Sequence, residues 1–226
     1  DELDAHVAQM RNKGFSFYNV HPAGQRSHHT PITHIEPQSS DNLKALGFDV
    51  STITTAREAL DRARDTGKLA LTSRLRLQQD VGRDAVTGLV MYLPLYRKDA
   101  DLGSVEGRQR GIVGWVSASF RMNDLLQGMA RQLYSDIDLV VYDGDPQSAE
   151  SLLYGDANLA AAAPGAATDL RALQQIALGG RTWTLVMQPP PAFEQRFKDR
   201  DDVLLAAMGV ALGLMAGVLT WVMATG

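Results

Sequence analysis

The stretch TAREALDRARDTGKLALTSRLRLQQDVGRDAVTGLVMYLPLY, residues 55–96, decides the fold class because its hydrophobic period changes partway through. Its first part reads as a helix. Thr55-x-x-Glu58 has the form of a capping box, Ala59, Leu60 and Ala63 fall on one face, and Gly67 is a natural left-handed stop. The rest reads as extended chain, with strands predicted at 69–77, 88–96 and, further on, 111–120, separated by polar or Gly-containing loops. Sequential strands on such loops favour an antiparallel sheet, so a helix laid on that sheet makes an α+β lobe.

Working outward, Leu3, Val7 and Met10 recur at helical spacing before Gly14, and the first residues read as the tail of a longer helix. Residues 15–20 alternate as a strand that breaks at His21-Pro-Ala-Gly24, and 32–35 form another short strand candidate closed by Pro37. Toward the C-terminus, Asn123 caps an amphipathic helix with Leu125, Leu126, Met129 and Leu133 on one stripe, placed to bridge two lobes. A second strand set starts at 137–142, turns at Asp143-Gly-Asp-Pro146, and ends in a hairpin whose strands, 170–178 and 181–187, flank Gly179-Gly180. Residues 158–168 are Ala-, Gly- and Pro-rich and read as a loop. Pro189-Pro-Pro191 ends the hairpin, and a helical pattern resumes at 193–202.

From 203 to 226 the chain carries no Asp, Glu, Lys or Arg. An apolar run of roughly 20 residues is long enough to cross a bilayer as a helix, so 203–224 reads as a membrane span with Trp221 near an interface. Gly209-x-x-x-Gly213-x-x-x-Gly217 lines one face of it, a small-residue ridge that would suit a homodimer. The charge-mixed flank Lys198-Asp199-Arg200-Asp201-Asp202 leaves the orientation open. The opening DELDAHVAQMRNKG has no apolar core and no initiator Met, and reads as part of a longer chain and not as a signal peptide.

Composition excludes several function classes. The chain has 226 residues, is 45% hydrophobic and 21% charged, and carries a net charge of −4, so no global basic field draws in nucleic acid. With no cysteine there is no disulfide, thiolate nucleophile or cysteine zinc site. His21, His28, His29 and His34 with Glu36 have the composition of a zinc or copper site, but their spacing fits no metal motif and reads as a solvated loop. Asp143-Gly-Asp-Pro146 lacks the regularly spaced oxygens of a calcium loop. No nucleophile–base pair, P-loop or dinucleotide fingerprint occurs, and no cofactor is called for. Arg57, Arg64 and Arg76 are the candidate clamps for an anionic ligand, against the ordinary reading of surface arginines.

Several blocks, in order, resemble the CHASE domain, the extracytoplasmic sensor of bacterial and plant transmembrane receptors. They are Ile35-Glu36-Pro37 with Asn42 and Leu46-Gly-Phe-Asp49; Arg57-Glu-Ala-Leu60 with Ala63-Arg-Asp-Thr-Gly67; Leu71-Thr72 and Leu77-Gln78; and Leu93-Pro-Leu-Tyr96. Gly111-Ile-Val-Gly114, Phe120-Arg121 with Asp124-Leu-Leu126, Val141-Tyr-Asp-Gly-Asp145 with Leu152-Leu-Tyr154, and Trp183-Thr-Leu185 continue the match. The resemblance implies two PAS-like lobes on a stalk helix ending at 1–14, with a membrane-distal lobe at 15–121. A bridging helix and membrane-proximal lobe would occupy 122–191, a juxtamembrane helix 192–202, and a second membrane span 203–224. It further implies a small-molecule pocket in the distal lobe and a histidine kinase or diguanylate cyclase output elsewhere in the parent chain.

In plant members of this family the ligands are cytokinins, held partly by an acidic side chain just before the Arg of the helix block. Here that position is Ala56, whose methyl cannot bond a purine nitrogen, which argues against a plant-type cytokinin. Thr72, Gln78 and Tyr92 are the other positions carried over, and Leu71 and Met91 complete the candidate ligand-binding set. Met91 and Tyr92 alternate faces, so only one of them points inward, and the resemblance favours Tyr92. The competing expectation is a membrane-tethered interaction domain with no small ligand. A distal pocket filled by Tyr92, Met91 and Leu71 would favour it.

Overall fold

The computed structural model describes residues 2–80, 82, 86–133, 137–146, 149–156 and 171–190, together with 208, 210, 212 and 215. The helices are α1 (Glu2–Asn12), α2 (Thr54–Thr66), α3 (Val105–Gly111) and α4 (Met122–Leu133). The strands are β1 (Ala70–Leu71), β2 (Gly88–Tyr96), β3 (Ile112–Arg121), β4 (Asp138–Asp143), β5 (Leu152–Tyr154), β6 (Ala172–Leu178) and β7 (Arg181–Gln188). They form two antiparallel sheets, β1-β2-β3 and β5-β4-β7-β6, so the architecture is α+β.

Helix α2 forms where its spacing predicts. Ala56, Ala59, Leu60 and Ala63 are all buried against Ala70 and Tyr92, and three alanines on the contact face let the helix lie close to the sheet. Gly67 closes it in the left-handed region, at φ 67°, with its N–H on the Ala63 carbonyl. The expected capping box does not form. The N-cap position is the extended Ile53, and the Thr55 hydroxyl is buried without a partner. A 3-10 turn, Val50–Thr52, feeds the helix instead and takes the Ile53 N–H on the Val50 carbonyl.

The strand predicted at 69–77 shrinks to Ala70–Leu71. Thr72 ends the ladder by bonding Val90 twice: its N–H donates to the Val90 carbonyl at 2.9 Å, and its hydroxyl accepts the Val90 N–H at 3.0 Å. The chain then touches β2 once more, at Leu75–Gly88, and turns as a 3-10 helix at Gln78–Asp80. Residues 15–20 and 32–35 are also not strands. Their neighbours His21 and Pro31 meet the segment 46–49 through single bridges to Phe48 and Asp49, and the apolar side chains of 15–20 and 32–35 join Leu3, Val7 and Met10 of α1 in one cluster around Tyr18 and Leu46. The loop before β3 holds a helix, α3, that the sequence pattern does not signal.

The first sheet is covered on both faces. Val90 and Tyr92 face α2, whereas Leu89 and Met91, with Leu71, face the second sheet. There they meet Leu139 and Val141 of β4, Leu153 and Tyr154 of β5, and Trp183 and Leu185 of β7. Helix α4 seals this shared core with Met122 and Leu126, while Leu125, expected on the same stripe, is 38% exposed. The opposite face of the second sheet carries Val140, Tyr142 and Val186, all buried.

A further contact joins the sheets through backbone. The β6–β7 hairpin turns on Gly179 and Gly180, both at positive φ as a type I′ turn requires. The Gly179 carbonyl accepts the Leu71 N–H at 2.9 Å, and Arg62 of α2 donates to the Leu71 carbonyl at 2.7 Å. No described helix is long and apolar enough to cross a membrane. The expected loop at 158–168 and helix at 192–202 lie outside the described residues. So does most of the span expected at 203–224, of which only Met208, Val210, Leu212 and Met215 are described, all helical and exposed.

The turn yields a stability prediction. A Cβ at Gly179 would lie 2.8 Å from the Leu71 nitrogen, whereas one at Gly144, also at positive φ, would meet nothing within 4 Å. Gly144→Ala should therefore show only the left-handed backbone cost, about 1–2 kcal/mol. Gly179→Ala should cost more in denaturant unfolding, because the turn must also leave Leu71. Equal losses would show that the turn does not bear on β1.

Candidate functional site

A cavity of about 530 Å³ opens between α2, the inner face of the first sheet and the loop at 32–37. The ladder builds its floor: Val90 and Tyr92 of β2 pair with Ser119 and Ser117 of β3, and Arg121 follows two residues on. Alternation along β3 thus places Ser117, Ser119 and Arg121 on one face. Ile53 and Ala56 supply the apolar wall at the start of α2, and Arg76, Gln78 and Gln79 close the side left by the end of β1.

The residues anticipated from sequence divide into three groups. Ala56, Gln78 and Tyr92 line the cavity. Thr72 is fully buried and does not line it, but its hydroxyl fixes Val90, which does. Leu71 and Met91 lie on the other face of the sheet, in the core shared with the second sheet. Tyr92 is 4% exposed, and burial raises its hydroxyl pKa well above the usual range, so it enters any recognition as a neutral group. Val90, Ser117, Ser119 and Arg121 were not singled out in advance. The period-two polar series Ser-x-Ser-x-Arg was the available signal, but its face depends on the register with β2.

Arg121 is held in place from below. Its Nε lies 3.1 and 3.0 Å from the two carboxylate oxygens of Asp80 and its Nη2 lies 2.7 Å from one of them, while Asp80 is 1% exposed. Arg76 donates to the Asp80 backbone carbonyl at 3.2 Å, which brings a second guanidinium to the same end. Of the other arginines considered, Arg64 pairs with Asp61 and Asp65, Arg57 is exposed on α2, and neither lines the cavity.

The histidine-rich loop is fastened by a second buried carboxylate. Asp49, fully buried, accepts from His29 Nδ1 at 2.9 Å, Arg26 at 3.3 Å, the Thr30 N–H at 3.0 Å and the Ser51 hydroxyl at 2.6 Å. Three of the other histidines act singly: His21 meets the Leu46 carbonyl, His34 the Thr33 hydroxyl and His6 the Tyr18 hydroxyl. Among the described residues no three His, Asp or Glu side chains gather where they could hold a metal ion. The turn at Asp143 is occupied by Arg181, whose Nε lies 2.7 and 2.8 Å from the two Asp143 carboxylate oxygens.

Against known proteins, the model of the CHASE domain family matches residues 1–154, and the chain belongs to that family. CHASE domains are extracytoplasmic sensor modules of membrane receptors. The chain is similar to hybrid signal transduction histidine kinase A of Dictyostelium discoideum, 26% identical over 220 residues that make up 88% of this chain and 10% of that protein. It is also similar to probable histidine kinases 4 and 6 of Oryza sativa subsp. japonica, 33% identical to each over 48% and 52% of this chain and 11% and 12% of theirs. The chain therefore spans about a tenth of the length of these relatives.

The Asp49 latch carries a pH dependence of defined sign. Burial pushes its carboxyl up, but hydrogen bonds from Ser51, Thr30 and His29 outweigh that and hold it below the ordinary carboxylate value. A lowered folded-state pKa gives stability that is complete above the unfolded value and is lost as pH falls through the folded one. Asp49→Asn should cost about 1–3 kcal/mol at neutral pH in denaturant unfolding. The gap from wild type should close below about pH 4. A gap that stays constant into acid would show that the carboxylate charge is not what holds the loop.

Proposed function

We propose that this chain is the extracytoplasmic ligand-sensing module of a transmembrane receptor whose output, a histidine kinase or a diguanylate cyclase, lies elsewhere in the parent protein. The cavity under α2 is the observation that carries this reading. It has the size of a small-molecule site and joins an apolar wall to a few convergent polar groups. The kinases among the relatives favour the first output. The two lobes are PAS-like, the first membrane-distal, and 203–224 anchors them as a membrane span.

In this reading, a ligand that draws α2 toward Tyr92 and Val90 also loads β1, because α2 holds Leu71 through Arg62 and β2 pairs Tyr92 with Ala70. β1 in turn is bonded to the β6–β7 turn. Ligand binding shifts the balance between two arrangements of the lobes only by its differential affinity for them. The receptor works as a homodimer, and the glycine ridge 209–217 is one element of its contact.

A second reading has one observation in its favour. Leu93 and Val116, cross-strand neighbours, and Leu95 are 46%, 56% and 43% exposed on the face that carries Leu89 and Met91, past the part that the second sheet covers, an apolar strip suited to a protein contact. Thermal unfolding of the full chain in nanodiscs separates the two. Purines, amino acids and organic acids are screened against wild type and against Ser117→Trp, which fills the cavity from an exposed wall position. A saturable rise in Tm that the tryptophan abolishes supports the sensor. A rise that survives it places the ligand outside this cavity, and no rise with any compound favours the interaction domain. For the dimer, single cysteines at 209, 213 and 217 should form disulfides across the ridge on mild oxidation, and the absence of crosslinks at all three would exclude that contact.

A further inference from the structure

We propose that the free edge of β3 pairs with the same edge of a second copy of this chain, antiparallel about Ser117, so that the two first sheets become one continuous sheet. This contact is independent of any ligand, and it lies in the first lobe, away from the glycine ridge. β3 is the outer strand of its sheet and is bonded on one side only, to β2. Gly88 and Val90 of β2 bond to Leu75 and Thr72, on the β1 side. The alternate residues Leu89, Met91 and Leu93 therefore bond toward β3, where they meet Phe120, Ala118 and Val116. Trp115, Ser117 and Ser119 then turn their N–H and C=O groups outward, and no described residue bonds to them.

Nothing within the strand blunts this edge. From Ile112 to Phe120 there is no charged residue and no proline, Val113 and Val116 are exposed, and Ser117, Ala118 and Ser119 are exposed in succession. The edge is also complementary to itself. Pairing about Ser117 sets Ser117 against the partner's Ser117 and Trp115 against the partner's Ser119, which satisfies the outward groups of both copies. On the face that carries Leu93, it sets Val116 against the partner's Ala118, so the apolar strip runs from one copy into the next. Charge agrees at the ends. Arg110, exposed just before β3, comes level with the partner's Asp124, while Asp124 itself is 70% exposed and 3.7 Å from Arg121. The twofold axis of such a pair stands normal to the sheet, and the second sheet is stacked along that normal, under Leu89 and Met91. Both copies thus send their second sheets the same way, as two chains anchored in one membrane require.

The chain has no cysteine, so single cysteines report the contact in the full chain reconstituted in liposomes. Residues opposite each other in a bonded pair have Cα atoms about 5.5 Å apart, within disulfide range, so Ser117→Cys should crosslink to its own copy on mild oxidation. Val113→Cys, also exposed, would stand roughly 25 Å from its copy along the strands and should stay uncrosslinked. Ser119→Pro removes an outward N–H and spares the β2 ladder, and it should abolish most of the Ser117→Cys crosslink. Arg110→Glu should lower the yield, and Asp124→Arg added to it should restore it. No crosslink at 117, equal yields at 113 and 117, or a yield indifferent to both the proline and the charge variants overturns the proposal. Crosslinks on the glycine ridge without one at 117 overturn it too, and leave the membrane contact standing. Protection of the Ser117 and Ser119 amides from hydrogen exchange without a crosslink overturns self-pairing and gives the edge to a different strand.

Discussion

The molecule is organised around Leu71. Its N–H is bonded to the Gly179 carbonyl of the second sheet's hairpin, its carbonyl receives Arg62 from α2, and its side chain is buried in the core between the sheets. One residue earlier, Ala70 pairs with Tyr92 and packs under α2. A strand of two residues is too short to be stable through its own ladder, so β1 exists because three other elements hold it. The same contact explains why Gly179 and Gly180 must be glycines. Any side chain there would meet Leu71 or Arg62.

Much of this was legible in the sequence where a periodic pattern was long enough to be decisive. The alanine face of α2 with its Gly67 stop, the nine-residue strand β2 and the Gly-Gly hairpin all show the right period, and tertiary packing agrees with local preference at each. Short or irregular segments misled. Residues 15–20 and 32–35 alternate like strands, yet their apolar side chains are needed by α1 and Tyr18, and the chain crosses itself there through close backbone approaches such as the one at Gly47. At Thr55 the capping pattern is present, but the entering 3-10 turn has already set the first turn of the helix.

The candidate site was legible by half, for a physical reason. Ala56, Gln78 and Tyr92 came from the family resemblance, since strand alternation alone leaves Met91 and Tyr92 open and Gln78 sits in a 3-10 turn that the pattern does not signal. Ser117, Ser119 and Arg121 enter only through the register of β3 against β2, and Leu71 and Met91 belong to the other face because a second sheet lies there. Which face of a doubly covered sheet holds a cavity is not encoded in the strand itself. The charge of the site follows the same logic, since Arg121 acquires its orientation from Asp80, 41 residues away in sequence.

Through β1 the cavity and the second sheet should respond as one mechanical unit. Hydrogen exchange of the full chain in nanodiscs, comparing wild type with the cavity-filling Ser117→Trp, tests it without knowledge of the ligand. Protection should change at the Leu71 amide and along β7, beyond the sheet that carries the substitution. Changes confined to α2, β2 and β3, with Leu71 and the hairpin exchanging as before, would contradict it.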